Sequence, residues 1–244
     1  MSYDPLNNPS GNSPTGRTGY QAAAIDAGLQ SYMRGVYHTM GIGLVLTGLS
    51  AFAVANIPAL FHLIFGTPLS YVVMFAPLVF LWFGFTPARM ARMPVQKLTT
   101  MFSLFSILMG LSLASIFVVY TGASIASTFF ITAATFAATS LYGYTTKRDL
   151  AGAGSFLFMG LIGIVIASVV NIFLHSAMVQ FVVSIIGVVV FTGLTAWETQ
   201  NLKVTYRAGA TEANAKMALA GALSLYLNFI NLFMILLQFT GNRR

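Results

Sequence analysis

Seven long apolar stretches follow one another along the chain, separated by short polar segments. They cover residues 36–57, 69–85, 99–120, 124–144, 154–174, 178–197 and 217–239. Each has roughly 17–23 residues, which is enough for a helix to cross about 30 Å of hydrocarbon. The turns at 121–123 and 175–177 carry no charge, but a fused span of about 45 residues would be far too long for a bilayer. The pattern therefore predicts an all-α integral membrane protein with seven transmembrane helices.

The first 35 residues follow a different pattern. Residues 1–20 are rich in Pro, Gly, Ser and Asn, and such a segment cannot bury enough apolar area to offset its ordering entropy. We predict a disordered cytoplasmic tail at 1–20, ahead of a transmembrane domain at 21–244. At about 22–35, Ile25, Leu29 and Tyr32 recur at helical spacing, which predicts an amphipathic helix at the membrane interface.

Composition and charge strengthen the membrane assignment and orient the chain. Only 7% of residues are charged, against about 25% in soluble domains. Ten of the 12 basic residues precede the first span or lie in the loops after the second, fourth and sixth spans. The positive-inside rule therefore predicts a cytoplasmic N-terminus and an outside C-terminus. Because the basic residues lie in these loops, the net charge of +7 does not indicate nucleic-acid binding.

Small residues spaced by four, such as Gly110 with Ala114 and Gly163 with Ala167, predict close packing between helices.

The chain lacks the residues that enzyme chemistry in a membrane would need. The chain has no cysteine, and the predicted spans contain no lysine that could form a Schiff base. They offer one acid, and the three histidines lie near the ends of separate spans. We therefore expect no enzyme, no cofactor and no firm metal site.

The polar residues inside the apolar stretches are few, so each one is informative. Glu198, at the cytoplasmic end of the sixth span, is the one candidate intramembrane acid. It is either a functional ionisable group or an ordinary residue at the helix end. In the seventh span Ser224, Asn228 and Asn231 form a polar stripe, which we expect to face the bundle interior. The stripe either makes interhelical hydrogen bonds or lines a hydrated path.

Four sequence blocks resemble the Bax inhibitor family in its bacterial branch. They are TFFITAATFAATSLYGYTTKRDL (128–150), SFLFMGLIGIVIASVVNIFLHS (155–176), TAWETQNLK (195–203) and ALSLYLNFINLF (222–233). The resemblance implies a seven-helix bundle in the bacterial inner membrane, with the last helix at its centre. It also implies one of two activities. Some bacterial members are pH-sensitive calcium leak channels, and others restrain a membrane ATP-dependent protease.

In the channel-forming members two aspartates form a titrating dyad, and an arginine acts as a latch. By position the dyad falls on Glu198 and Asn228, and the latch falls on Arg89. An amide cannot share a proton as a second carboxylate does, and calcium prefers more than one carboxylate. We therefore expect weak calcium binding and a flattened pH response.

Two functions remain open from the sequence. One is a cation leak pathway lined by the sixth and seventh helices, which Glu198 and the polar stripe favour. The other is a non-conducting regulatory protein that binds a partner such as a membrane protease, which the altered dyad and the tail at 1–20 favour.

Overall fold

The computed structural model describes residues 14–244, with side chains from Asp26 onward. Within that range the chain forms ten helices: α1 (Pro14–Asn56), α2 (Pro58–Phe65), α3 (Leu69–Gly84), α4 (Pro87–Arg92), α5 (Val95–Leu113), α6 (Ile116–Val119), α7 (Gly122–Thr145), α8 (Ala151–Leu174), α9 (Ala177–Thr205) and α10 (Thr211–Thr240). The only strand-like pairing in the described part is an isolated bridge between Tyr120 and Arg243. The all-α prediction is confirmed.

Six helical segments are long and apolar enough to cross a membrane. They are Asp26–Asn56, Val95–Val119, Gly122–Thr145, Ala151–Leu174, Ala177–Thr205 and Thr211–Thr240. The predicted second span, 69–85, corresponds to α3, which has 16 residues. α3 is joined to α2 at an 81° bend. Counting this bent pair as one span brings the number to seven.

α10 packs against α1, α5, α7 and α9. The most apolar 18-residue stretch of α10 is 56% buried within the protein, more than in any other candidate span. The corresponding stretch of α8 is only 6% buried. The side chains of Leu225, Tyr226 and Leu232 on α10 are fully buried. The rings of Phe102 and Phe105 from α5 meet the Tyr226 ring edge-on, at 5.6 and 5.9 Å between centroids.

The basic loops gather at one end of the molecule. Lys216 Nζ donates to the carbonyl of Ala91 at 2.9 Å, and Gln200 Nε2 donates to the carbonyl of Arg148 at 2.7 Å. The first bond joins the segments 86–94 and 206–216, and the second joins the segment 146–150 to the last turns of α9. We call this end of the molecule, with its three basic segments, the basic end. At the opposite end the backbone of Thr121 donates to Asn242 at 3.1 Å.

The N-terminal region differs from the sequence-based expectation in two respects. α1 begins at Pro14, so residues 14–20 of the predicted tail are helical, and residues 1–13 lie outside the described part. The predicted interfacial helix at 22–35 is continuous with the first span. Its Tyr32 and Met33 are buried in the main hydrophobic core, because the apolar face packs against protein instead of lipid.

The small residues show which predicted close contacts occur. Gly110 of α5 lies against Thr47 and Ser50 of α1, and Gly143 of α7 lies against the backbone of Ala196 in α9. A side chain at either glycine would collide with the neighbouring helix. Gly163 of α8, in contrast, has no neighbour within 4 Å of its would-be Cβ. The packing prediction is therefore confirmed at Gly110 and wrong at Gly163.

Candidate functional site

Glu198 lies on α9 near the basic end, and its side chain is half-buried. The other acids in the described range, Asp26, Asp149 and Glu212, are exposed. The carboxyl group of Glu198 lies on the side of α9 that faces Ser224 of α10 and interacts electrostatically with the phenol of Tyr32 on α1. Three helices therefore meet around a single acid.

The packing of α9 on α10 determines which stripe residue meets Glu198. The two helices run antiparallel, with Leu202 against Gly221 and Glu198 against Ser224. Following this register by one turn places Asn228 level with Leu194. At 1.5 Å per residue, Asn228 is about 6 Å farther along the helix axis than Ser224. The residue that the structure brings to Glu198 is thus Ser224, and Asn228 lies one turn deeper.

The stripe prediction is wrong at Asn231. Ser224 and Asn228 are half-buried, but Asn231 is exposed. At 100° per residue, Asn231 lies about 60° around the helix from Asn228, on the side away from the buried Leu225 and Leu232. Leu232, one residue later, is fully buried in its place.

Arg89 lies on α4 at the basic end and is exposed. Its Nη1 donates to the backbone carbonyl of Phe83 at 2.7 Å, at the end of α3. In the described part of the chain the only ion pair joins Lys216 to Glu212 at 3.0 Å. The structure therefore does not pair Arg89 with Glu198, and its latch role stays a prediction.

Sequence reasoning missed the aromatic side of this site. The Tyr32 hydroxyl is buried and has no hydrogen-bond partner among the described residues, and its ring packs on Tyr206 with centroids 5.4 Å apart. Both tyrosines line a cavity of about 460 Å³ at the basic end, together with Ser31, Thr99 and Asn214. Tyr32 occupies an apolar position of the helical pattern, so the sequence predicted it only as part of the apolar face of an interfacial helix.

A chain of hydroxyl groups connects α1, α7 and α9 beside Glu198. The Tyr37 hydroxyl lies 2.6 Å from Ser140 Oγ, which lies 3.0 Å from Thr199 Oγ1. Thr199 Oγ1 donates in turn to the carbonyl of Thr195 at 2.8 Å. A separate bond joins Thr47 to the fully buried Tyr226 at 2.7 Å. These neutral contacts fasten the helices without introducing further charge.

The ligand set around Glu198 is poor for a metal. No group of three or more His, Asp or Glu side chains able to hold an ion occurs in the described residues. A cation at Glu198 would meet one carboxylate, the Ser224 hydroxyl and the Tyr32 phenol. Calcium sites normally supply six to eight oxygens, so the remainder would have to be water.

Comparison with known proteins identifies the family of this chain. The family model described as "Inhibitor of apoptosis-promoting Bax1" matches residues 29–244. The chain belongs to the Bax inhibitor family. Three similar relatives are covered over nearly their whole length. The inner membrane protein YbhL of Escherichia coli is 48% identical over 221 residues, 89% of this chain and 94% of YbhL.

The second relative, a protein of Rickettsia prowazekii, is 46% identical over 224 residues, which cover 90% of this chain and 93% of the relative's length. A membrane protein of Streptococcus pyogenes is 35% identical over 221 residues, 88% of this chain and 94% of its own. The family resemblance seen in the sequence is therefore confirmed, and this chain is a multi-pass Bax inhibitor family protein.

Proposed function

We propose that the chain is an inner-membrane protein of a bacterium with seven crossings, a cytoplasmic N-terminus and the last helix inside the bundle. The bent α2–α3 pair supplies the second crossing. The printed name of YbhL supports the inner membrane, and the contacts of α10 with four other helices support its central place. The concentration of Lys and Arg at the basic end supports a cytoplasmic location for that end.

Within this arrangement we infer a cation leak pathway between α9 and α10, with Glu198 as its charged element. The observation that carries the proposal is the position of this half-buried acid, for which the described residues provide no basic partner. An unpaired carboxylate inside a membrane protein is costly and marks a functional site by default. The cavity lined by Tyr32 and Tyr206 lies at the basic end, and we propose that water enters the path through it.

The same geometry supports weak calcium selectivity and a flattened pH response. Ser224 is the α10 residue next to Glu198, and a hydroxyl does not titrate near neutral pH. Asn228, one turn deeper, is also uncharged. With a single carboxylate, no like-charge repulsion couples two protonation events, and one negative charge gives calcium little advantage over monovalent cations.

Ion flux through the purified, reconstituted full chain tests this proposal. Liposomes would hold a calcium or potassium indicator, and flux would be followed between pH 6 and pH 8 for wild type, Glu198→Gln and Asn228→Asp. Glu198→Gln is expected to abolish most of the flux, and Asn228→Asp to steepen its pH dependence. Glu212→Gln is the matched control, since Glu212 is exposed and lies away from the path.

Two results would contradict the proposal. Steep, calcium-selective gating in the wild type would show that one carboxylate suffices for the response we assign to two. Unchanged flux in Glu198→Gln would remove Glu198 from the pathway. An Asn228→Asp variant that behaves as wild type would place the second position elsewhere on α10, with Ser224→Asp as the next substitution.

The second candidate function is a non-conducting regulator that binds a partner such as a membrane ATP-dependent protease. One observation favours it: beyond Asn228, α10 buries Leu232 and Leu237 completely, so the far half of the bundle is closed by apolar packing. Deleting residues 1–13 discriminates the two candidates. Ion flux should survive the deletion, whereas a tail-dependent association with a partner should not.

A further inference from the structure

α1 and α7 both pack against α10, and a groove remains between them on the lipid-facing side. Near the basic end this α1–α7 groove holds a cavity of about 470 Å³, and all of its lining residues in the described part of the chain belong to α1 and α7. The hydrogen bond from Tyr37 to Ser140, at 2.6 Å, crosses it. The groove is therefore bounded on both sides by helix and closed toward the interior by a fixed contact.

The lining of the α1–α7 groove changes from cationic to apolar along the helix axis. Arg34 lines it from α1 and Tyr144 from α7. Lys203 of α9 does not line the groove but lies behind Tyr144: its Nζ is 5.1 Å from the Tyr144 ring centroid and donates to the Tyr144 carbonyl at 2.9 Å. Phe136 and Ala137 line the groove about two turns farther from the basic end.

This order of charge and apolar surface matches one class of ligand. A negatively charged head needs the cations at the basic end, and an acyl chain needs the apolar surface that follows. Basic pockets between transmembrane helices on the positively charged side bind anionic lipid head groups. Arg34 is exposed and has the length to reach a phosphate at the interface while its stem stays on apolar surface.

We propose that the α1–α7 groove binds one anionic phospholipid from the leaflet at the basic end. Its phosphate lies at Arg34, within the field of Lys203, and one acyl chain lies over the exposed Leu141 and Ala137, with the buried Phe136 beneath it. The site is separate from Glu198 and from any ion pathway, so it stands even where the flux experiment fails.

Lipid titration of the purified full chain in mild detergent tests the site. Bound lipid would be counted by native mass spectrometry with phosphatidylglycerol, with phosphatidylcholine as the neutral comparison and inorganic phosphate as the head-group comparison. Wild type should retain one phosphatidylglycerol in preference to phosphatidylcholine and should not respond to phosphate. Arg34→Gln should weaken phosphatidylglycerol binding by about fivefold, as expected for one partly exposed charged contact.

Ala137→Phe fills the apolar part of the groove without changing its charge and should weaken binding by a similar factor. Two control variants match these substitutions. Arg92→Gln removes an exposed basic residue at the same end, and Ala138→Phe adds a ring at the neighbouring exposed position of α7. Both controls should bind as wild type does.

Equal losses in Arg34→Gln and Arg92→Gln would overturn the proposal, because they would show diffuse attraction to a basic surface. Full binding by Ala137→Phe would also overturn it, because the acyl chain would then lie elsewhere. Displacement of the lipid by inorganic phosphate at similar concentration would reduce the site to an anion contact and overturn the lipid assignment.

Discussion

Replacing Gly143 by alanine tests how closely α7 holds the part of α9 that carries Glu198. A methyl group at Gly143 would lie 2.8 Å from the carbonyl carbon and 2.9 Å from the Cα of Ala196, where ordinary contacts are 3.4–4 Å. Those atoms belong to the backbone of α9 and cannot rotate away. The Ala196 carbonyl oxygen lies closer still, so the two helices must separate locally by more than the 0.6 Å that takes the carbonyl carbon from 2.8 to 3.4 Å.

The expected free-energy change combines two opposing effects. Overpacking of a close contact costs roughly 1–3 kcal/mol, and a backbone obstacle places this case near the upper end. Alanine in place of glycine inside a helix contributes about 1 kcal/mol in the opposite direction. We expect Gly143→Ala to lower the free energy of unfolding by about 2 kcal/mol, the difference between these effects.

Gly163→Ala is the matched control, since a Cβ at Gly163 meets nothing within 4 Å. It retains the helix-propensity gain alone and should raise the free energy of unfolding by up to about 1 kcal/mol. Both variants would be unfolded in mixed micelles of rising sodium dodecyl sulfate content, with helicity followed by circular dichroism. If Gly143→Ala is as stable as Gly163→Ala, the close approach of α7 to α9 is refuted.

Three further predictions use the same unfolding measurement. Ser140→Ala removes the contacts to Tyr37 and Thr199 and should lower the free energy of unfolding by about 1 kcal/mol, since each interhelical hydrogen bond in a membrane contributes about 0.6 kcal/mol. The control is Thr135→Ala, whose hydroxyl bonds within α7, and an equal loss in both variants would contradict the prediction. Gly209→Ala should lower the free energy of unfolding by about 1 kcal/mol, because Gly209 has a φ of 83° that alanine adopts poorly. An unchanged unfolding midpoint would contradict this and show that the turn relaxes. His175→Gly should raise the free energy of unfolding by up to about 1 kcal/mol, because His175 ends α8 at a φ of 51°, where glycine is preferred. A lower free energy of unfolding would contradict this and show that the imidazole ring makes a stabilising contact.

Most helix positions could be predicted because lipid solvation depends on local composition. The predicted span 154–174 lies within α8, which begins only three residues earlier, at Ala151. The predicted span 178–197 ends eight residues before α9 does, at Thr205. Hydropathy falls where the helix leaves the apolar layer, but the backbone hydrogen bonds continue, so the sequence pattern underestimates helix length at the basic end.

The contacts within the candidate site could not be predicted from the local sequence pattern. Glu198 was identified as the one acid of the spans because acids are rare there. Its neighbour Tyr32 comes from a helix more than 160 residues earlier in the chain, and nothing in the local pattern indicates that contact. Asn231 was assigned to the interior because of its spacing from Asn228, but it lies about 60° around the helix from Asn228, on the side away from the buried Leu232.

The sequence by itself determined that the chain is helical and embedded in a membrane, which family it belongs to, and that Glu198 is the exceptional charge. These properties depend on residue type and on spacing along one helix. The tertiary structure decided that Ser224 and Tyr32 are the neighbours of Glu198, that Arg89 binds the carbonyl of Phe83, and that a groove lies between α1 and α7. These properties depend on the rotation and register of packed helices. Such rotation is set by small residues in contact with distant partners, as with Gly143 against Ala196.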